Sequence, residues 1–436
     1  MFKTLRNAFK IKEIRSKILF TLAMLVVVRI GSQLPVPGFK ADVIQDVMKN
    51  LLGESFSFLD AFTGGSLMTM SVFALNITPY ITSSIIMQLL TIAIPKLEEM
   101  QRDGEDGRKK IASITRYVTV VLALLESSAM AWTFGASGYY EVDAPITYIM
   151  VVATLTAGSA VIMWIGERIT EKGIGNGISI VLVINIISRI PADFAALYEQ
   201  FIKGSKTIAM GVLSAVIILA VVLAMVVITV ILNGGVRKIP VQYAQKMQGR
   251  RMVGGQASNI PLKVNTAGVM PIIFASSILQ FPIVLNGFFH WWDEGALVLR
   301  MLNQNNWCNP AMPECMVGLV VYVILVIFFA YFYTAITFNP MEIANNMKKQ
   351  SGLIPGIRPG KPTSDYLKSV LNSVIFIGAV GLIIIAVVPF IFNGLFSANV
   401  SFGGTSLIII VSVVLETMKQ IESQMLVRNY KGFLND

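Results

Sequence analysis

The chain has 436 residues, 55% of them hydrophobic and only 14% charged, with a mean hydropathy of +0.69. No soluble domain of this length is so apolar, so the composition specifies a polytopic membrane protein. The formal net charge of +10 calls for anionic surfaces or partners wherever it collects.

Ten apolar stretches approach membrane-spanning length: about 18–34, 70–94, 118–134, 146–165, 178–190, 208–232, 269–289, 316–338, 370–392 and 406–418. The fifth and tenth are the shortest. The first has no small-residue cleavage site before Pro35-Val36-Pro37-Gly38, so no cleavable signal peptide is expected. If the N-terminus is inside, the inner segments hold 28 of the 35 Lys and Arg residues and the outer ones 6, with Arg29 inside the first stretch. That asymmetry predicts ten spans with both termini cytoplasmic. Arg29 lies near the outer end of its stretch and is expected to snorkel to the external headgroups.

Between the first two stretches, Phe56 to Phe62 forms a short apolar helix candidate ending in Thr63-Gly64-Gly65-Ser66. It is too short to cross the membrane. It either lies on the outer surface or enters a cavity at membrane depth, where protein must surround it; the glycine pair would be its hinge. Pro79-Tyr80-Ile81 with Ser83-Ser84-Ile85 in the second stretch is echoed by Pro271-Ile272-Ile273 with Ser276-Ser277-Ile278 in the seventh. Copies five stretches apart would relate two halves of opposite topology, with a path at their interface.

Two inner loops are strongly basic. Residues 234–266 carry Arg237, Lys238, Lys246, Arg250, Arg251 and Lys263 with no acidic residue, and residues 339–368 carry Arg358. Such loops either dock an anionic partner or act only as topology signals, and the length of the first favours docking. Gly173-Ile174-Gly175-Asn176-Gly177 follows no strand and reads as a turn rather than a phosphate loop. His290, beside Trp291 and Trp292, reads as part of an interfacial aromatic belt. Cys308 and Cys315 share an outer loop and are either a local disulfide or two free thiols; the spacing slightly favours the disulfide. We find no metal-ligand cluster.

Eight segments then appear in order along the chain: Phe58-Leu59-Asp60-Ala61-Phe62-Thr63-Gly64-Gly65, Pro79-Tyr80-Ile81, Thr170-Glu171-Lys172-Gly173-Ile174-Gly175-Asn176-Gly177, Gly249-Arg250-Arg251, Val264-Asn265-Thr266-Ala267-Gly268-Val269-Met270-Pro271, Phe338-Asn339-Pro340, Pro355-Gly356-Ile357-Arg358-Pro359-Gly360 and Phe402-Gly403-Gly404-Thr405-Ser406-Leu407. Together they resemble the bacterial SecY family, the channel subunits of the general secretory translocase. The resemblance implies an all-α polytopic membrane protein of the bacterial plasma membrane. Its ten transmembrane helices would form two inverted five-helix halves, about 18–207 and 208–423, around an hourglass pore, flanked by cytoplasmic segments 1–17 and 424–436.

Carried over by position, the resemblance implies a pore ring of Ile81, Ile85, Leu182, Ile186, Ile273 and Ile409. It also implies a plug over about 56–65, containing Phe56, Phe58, Leu59, Asp60, Phe62, Gly64 and Gly65. A lateral gate would lie between the second and third stretches and the seventh and eighth, with Glu126 facing Ser84, Gln88 and Asn265 as candidate hydrogen-bond partners or else bonding within its own bundle. Arg237, Lys238, Lys246, Arg250, Arg251 and Arg358 would receive the ribosome or the motor ATPase SecA. The small subunits SecE and SecG, signal sequences, precursor polypeptides and lipid complete the implied partners; no cofactor is implied.

A ring of bulky aliphatic side chains suits such a pore, because it dewets when closed yet can fit around any passing sequence. The rival reading is a secondary transporter, which also uses inverted repeats but needs buried ionisable groups for coupling. Here Glu126 is the clearest. An enzyme is disfavoured, since the single histidine sits at a helix end and no base accompanies a nucleophile.

Overall fold

Apolar runs of this length leave the backbone to satisfy its own hydrogen bonds, which helices do. The fold is taken from a computed structural model. The structure describes residues 2–39, 63–136, 138–142, 144–199, 208–243, 246–248, 251–253, 257–289, 296–308, 310, 312–396 and 404–432. In chain order the helices are α1 (Phe2–Lys10), α2 (Lys12–Gly31), α3 (Thr78–Ala93), α4 (Pro95–Arg102), α5 (Glu105–Ala136), α6 (Pro145–Lys172), α7 (Gly177–Leu197), α8 (Ile208–Gly234), α9 (Met270–Phe289), α10 (Leu297–Leu302), α11 (Met316–Thr337), α12 (Pro340–Lys349), α13 (Lys361–Phe396) and α14 (Gly404–Gly432).

Each of the ten predicted stretches falls on one long helix among these. Among the described residues, six segments are long and apolar enough to cross a membrane: Glu105–Ala136, Pro145–Lys172, Gly177–Ala195, Val216–Gly234, Pro313–Lys349 and Lys361–Ile391. The pair α3 and α4 passes the same test only when taken together, and is bent by 106° at its break. The bend falls at Ile94, extended at φ −111 and ψ 110, immediately before Pro95, where the proline ring disfavours the helical conformation. Of the other three stretches, α9 is apolar over a shorter run, Met270–Ile283, while α2 and α14 carry charged residues.

The second stretch departs from expectation. Its helix begins only at Thr78, and 63–77 is a chain of turns in which Met70 and Asn76 adopt left-handed conformations at φ 42 and 49. Side chains compete with the helix there: Ser66 Oγ donates to the carbonyls of Thr63 (2.7 Å) and Phe73 (3.0 Å), and Asn76 Nδ2 donates to that of Thr63 at 3.2 Å. The fifth and tenth stretches, by contrast, are full-length helices. Both members of the suspected repeat, α3 and α9, start one residue before their proline, where a missing N–H is tolerated.

The first group of helices packs as α2 on α6 and α7, α3 on α5, α5 on α6, and α6 on α7. The second packs as α9 on α11, α11 on α13, α13 on α14, and α8 on α13 and α14. Between the groups α14 packs on α7, and α5 touches α9.

The basic loop at 234–266 is not irregular. It forms β1 (Val236–Tyr243), β2 (Lys246–Gln248), β3 (Arg251–Val253) and β4 (Ala257–Lys263), and β5 (Gly352–Leu353) comes from the second basic loop. Strands β4, β1 and β5 make one antiparallel sheet, with Val236 opposite Lys263 and Gln242 opposite both Ala257 and Leu353, while β2 and β3 pair separately. Ile239 and Val241 point inward between exposed neighbours, as a strand with one buried face requires.

Close approach of α6 to the 63–77 turns rests on Gly158, where an added Cβ would lie 2.0 Å from the Val72 carbonyl oxygen. Gly158→Ala should therefore destabilise the chain by about 1–3 kcal/mol, the usual cost of overpacking. Gly234→Ala, with nothing within 4 Å of the new methyl, should be neutral or slightly stabilising. Thermal unfolding of the two variants in detergent tests the difference.

Candidate functional site

Helical geometry puts residues three and four apart on one face, so which face meets which neighbour decides the site. Leu182 and Ile186 of α7 and Ile409 of α14 are buried in one apolar cluster, against which Ile81 of α3 and Ile273 of α9 pack. Five of the six expected ring residues thus come together from four helices. Ile85 does not join them; it is buried in the neighbouring cluster with Ile272, Phe274 and Leu279 of α9 and Tyr322 of α11. Ile77, one turn before Ile81, is buried in the first cluster, and Ile81 packs against both clusters. Residues 77 and 85 are both four positions from 81, so the sequence period cannot choose between them. The late start of α3 does: Ile77 caps the helix and reaches the α7 side, leaving Ile85 against α9.

Of the expected plug, Phe56, Phe58, Leu59, Asp60 and Phe62 lie outside the described residues. Gly64 and Gly65 have φ of 68 and 86, values that glycine adopts at little cost. A Cβ on Gly64 would lie 2.9 Å from the Asn185 Cα. The Gly64 carbonyl accepts from Arg29 Nη1 and from Ser188 Oγ, each at 3.4 Å. Arg29 therefore turns inward instead of snorkelling outward, because a turn carbonyl is within its reach.

The polar residues expected at the gate are satisfied separately. Gln88 Nε2 donates to Ser84 Oγ on its own helix at 3.3 Å, and Asn265 Nδ2 donates to Asn233 Oδ1 at 2.8 Å. Glu126 is half-buried on α5, and among the described residues no hydrogen bond joins it to Ser84, Gln88 or Asn265. Its neighbour Ser127 pairs with Thr156 of α6 at 2.9 Å.

The two basic loops share a core. Ile239, Val241 and Leu262 from the first pack with Met347, Ile354 and Leu367. Arg237, Lys238 and Arg358 are left exposed. Lys246 lies in β2 and Arg251 in β3; Arg250 is outside the described residues. The Arg358 carbonyl accepts from Thr363 Oγ1 at 2.8 Å, which ties its turn to the start of α13. A period-two signal, Ile239 and Val241, was present in the sequence but was masked by the charge around it.

Cys308 and Cys315 are free thiols, contrary to the favoured disulfide. Cys315 is buried in the cluster with Trp307 and Tyr322, whereas Cys308 sits half-exposed in a left-handed turn at φ 60; its partial burial raises the thiol pKa. His290, Trp291 and Trp292 lie outside the described residues.

A family model described as SecY matches residues 71–418. A relative from Streptomyces scabiei, described as protein translocase subunit SecY, is 43% identical over 448 residues and covers 100% of both chains. A solved structure described as that of a protein conducting channel superposes with a TM-score of 0.65 at 17% identity, covering 97% of each chain. Another, described as Sec61 in the canine ribosome-channel complex from the endoplasmic reticulum, gives 0.63 at 16% identity with the same coverage. At these identities the two structures speak to the fold.

The different packing of Ile77 and Ile85 can be measured without any functional assay. Ile77→Ala and Ile186→Ala remove atoms from one cluster, so their stability effects should be coupled by about 0.5–3 kcal/mol. Ile85→Ala and Ile186→Ala should add within the error. Thermal or denaturant unfolding of the double-mutant sets in detergent reads both.

Proposed function

The chain belongs to the SecY family, and from that premise we propose that it is a protein-conducting channel, passing unfolded secretory polypeptides across the bacterial plasma membrane and releasing hydrophobic segments sideways into lipid. The observation that carries this reading is the meeting of Ile77, Ile81, Leu182, Ile186, Ile273 and Ile409 in one aliphatic cluster drawn from both helix groups. Such a constriction dewets and blocks ions, yet its side chains can yield to a peptide of any sequence. The transporter reading has no support from this family. The chain supplies a path rather than chemistry, so the driving force comes from a partner or from synthesis itself.

On this reading the molecule has ten spans, both termini in the cytoplasm, and two inverted halves, 18–207 and 208–423. The grouping of helix contacts supports the halves, as do the matched proline starts of α3 and α9. The basic residues support the orientation. The lateral gate runs where α3 and α5 face α9 and α11; Ile85 reaches across that seam into the second group's cluster, and Glu126 flanks it. The plug occupies about 56–65, rooted at Gly64. SecE and SecG are the expected membrane partners.

The docking face is the shared unit of the two basic loops. A rigid sheet with exposed Arg237 and Lys238 and the nearby Arg358 turn suits ribosomal RNA phosphates or an acidic motor surface. Docking by the ribosome is supported by the fold likeness to the canine complex; docking by SecA follows from the family.

Reconstitution tests the function. Vesicles containing the chain with its small subunits should take up an unfolded precursor in the presence of SecA and ATP, and only when the precursor carries an intact signal sequence. Failure despite normal SecA binding would remove the channel reading. Arg237→Glu, Lys238→Glu and Arg358→Glu should each reduce uptake while leaving thermal stability and the idle ion seal unchanged, because exposed charges contribute little to stability.

A further inference from the structure

One side-chain carboxamide holds two elements at once at the inner end of the second helix group. Asn233 sits in the last turn of α8. Its Oδ1 accepts from Asn265 Nδ2, and its Nδ2 donates to Ser412 Oγ, both at 2.8 Å. Asn265 is buried in the segment leading into α9. Ser412 lies on α14, one turn beyond Ile409 and so on the same side of that helix.

The surroundings leave this chain of bonds little freedom. The Val264 amide donates to the Gly235 carbonyl at 2.9 Å, tying the α9 root to the end of α8. From behind, α13 closes in at Gly378, where an added Cβ would lie 2.3 Å from the Val264 carbonyl oxygen. A carboxamide has two donors and one accepting oxygen, and here both ends are engaged by different elements. These bonds are partly shielded from water, so an amide there that loses its partner costs free energy until another is found.

The two held elements carry ring residues: α9 brings Ile273 and α14 brings Ile409 into the same cluster. We propose that Asn233 is a positioning residue, which fixes the α9 root to α14 and thereby holds Ile273 and Ile409 at the separation that closes the aliphatic ring. The inference rests on the channel reading above. It also accounts for Asn265, which serves a bond within the second half rather than one to Glu126 across the seam.

The test uses the full chain with its small subunits in planar bilayers and in vesicles. Asn233→Leu removes both bonds at similar volume. Its idle open-to-closed ratio should rise about 3- to 30-fold, the range that one interhelical hydrogen bond is worth in a membrane protein, and precursors with defective signal sequences should be taken up more readily. Asn233→Asp keeps an acceptor for Asn265 and a second for the Ser412 hydroxyl, and should stay near the parent in both readouts. Adding Ser412→Ala to Asn233→Leu should change nothing further. If Asn233→Leu does not accumulate, Ser412→Ala alone carries the same expectation at smaller amplitude.

Parent-like idle conductance and stringency in Asn233→Leu, or an equal leak in Asn233→Asp, would overturn the proposal. Ile273→Asn in the same assay separates the two levels of the argument. If it leaks while Asn233→Leu does not, the brace fails and the channel stands. If it does not leak and the parent takes up no precursor, the channel reading itself fails.

Discussion

A buried backbone or amide group that loses its helical partner is costly until another is found, so where this chain leaves the helix among packed side chains its own atoms supply the missing partners. Two such places matter. In the 63–77 turns, the Asn76 carbonyl accepts from Ser159 of α6 at 3.1 Å and the Gly64 carbonyl from Arg29 of α2 and Ser188 of α7. Before α9, Val264 is held by Gly235 and Asn265 by Asn233. The two proline-led helices therefore start from braced segments, and their starting points are fixed in space.

That fixing gives the aliphatic cluster its shape. Ile77 and Ile81 stand at the start of α3 and Ile273 near the start of α9, so the residues nearest each brace are those that meet Leu182, Ile186 and Ile409. A constriction made only of flexible apolar side chains has no directional bonds to hold it closed. On the channel reading the braces would carry that burden from outside the ring and leave the ring free to yield, with polar residues setting position and aliphatic ones excluding water.

Much of this was legible in the sequence. Ten apolar stretches mark ten helices because hydrophobic length is set by the bilayer, and eight ordered motifs identify the family. What escapes such patterns are specific hydrogen bonds and packing contacts, local and distant. Hydropathy extended the second helix back to Met70, since it does not register that Ser66 and Asn76 bond to local carbonyls. Ile77 and Ile85 lie one turn either side of Ile81, and a period of four does not say which of them shares its cluster with Leu182 and Ile186. Hydropathy sends Arg29 to the headgroups because its acceptor, the Gly64 carbonyl, lies 35 residues away in sequence. The sheet is hard to read from sequence because the alternation of Ile239 and Val241 is short and its third strand comes from another loop. Cys308 and Cys315 are close in sequence, but Cys315 is committed to the core beside Trp307.

The central claim is that the cluster of Ile77, Ile81, Leu182, Ile186, Ile273 and Ile409 lines the path of the moving chain. The most direct measurement arrests a precursor midway, with a polar segment of it in the membrane, and places a photocrosslinking side chain in turn at each of these positions. All six should crosslink to the arrested polypeptide, whereas probes at Ile85 and at Leu155, buried in a different cluster of the first group, should not. Crosslinks at Ile85 or Leu155 without crosslinks at Ile77 and Leu182 would place the path elsewhere and contradict the account.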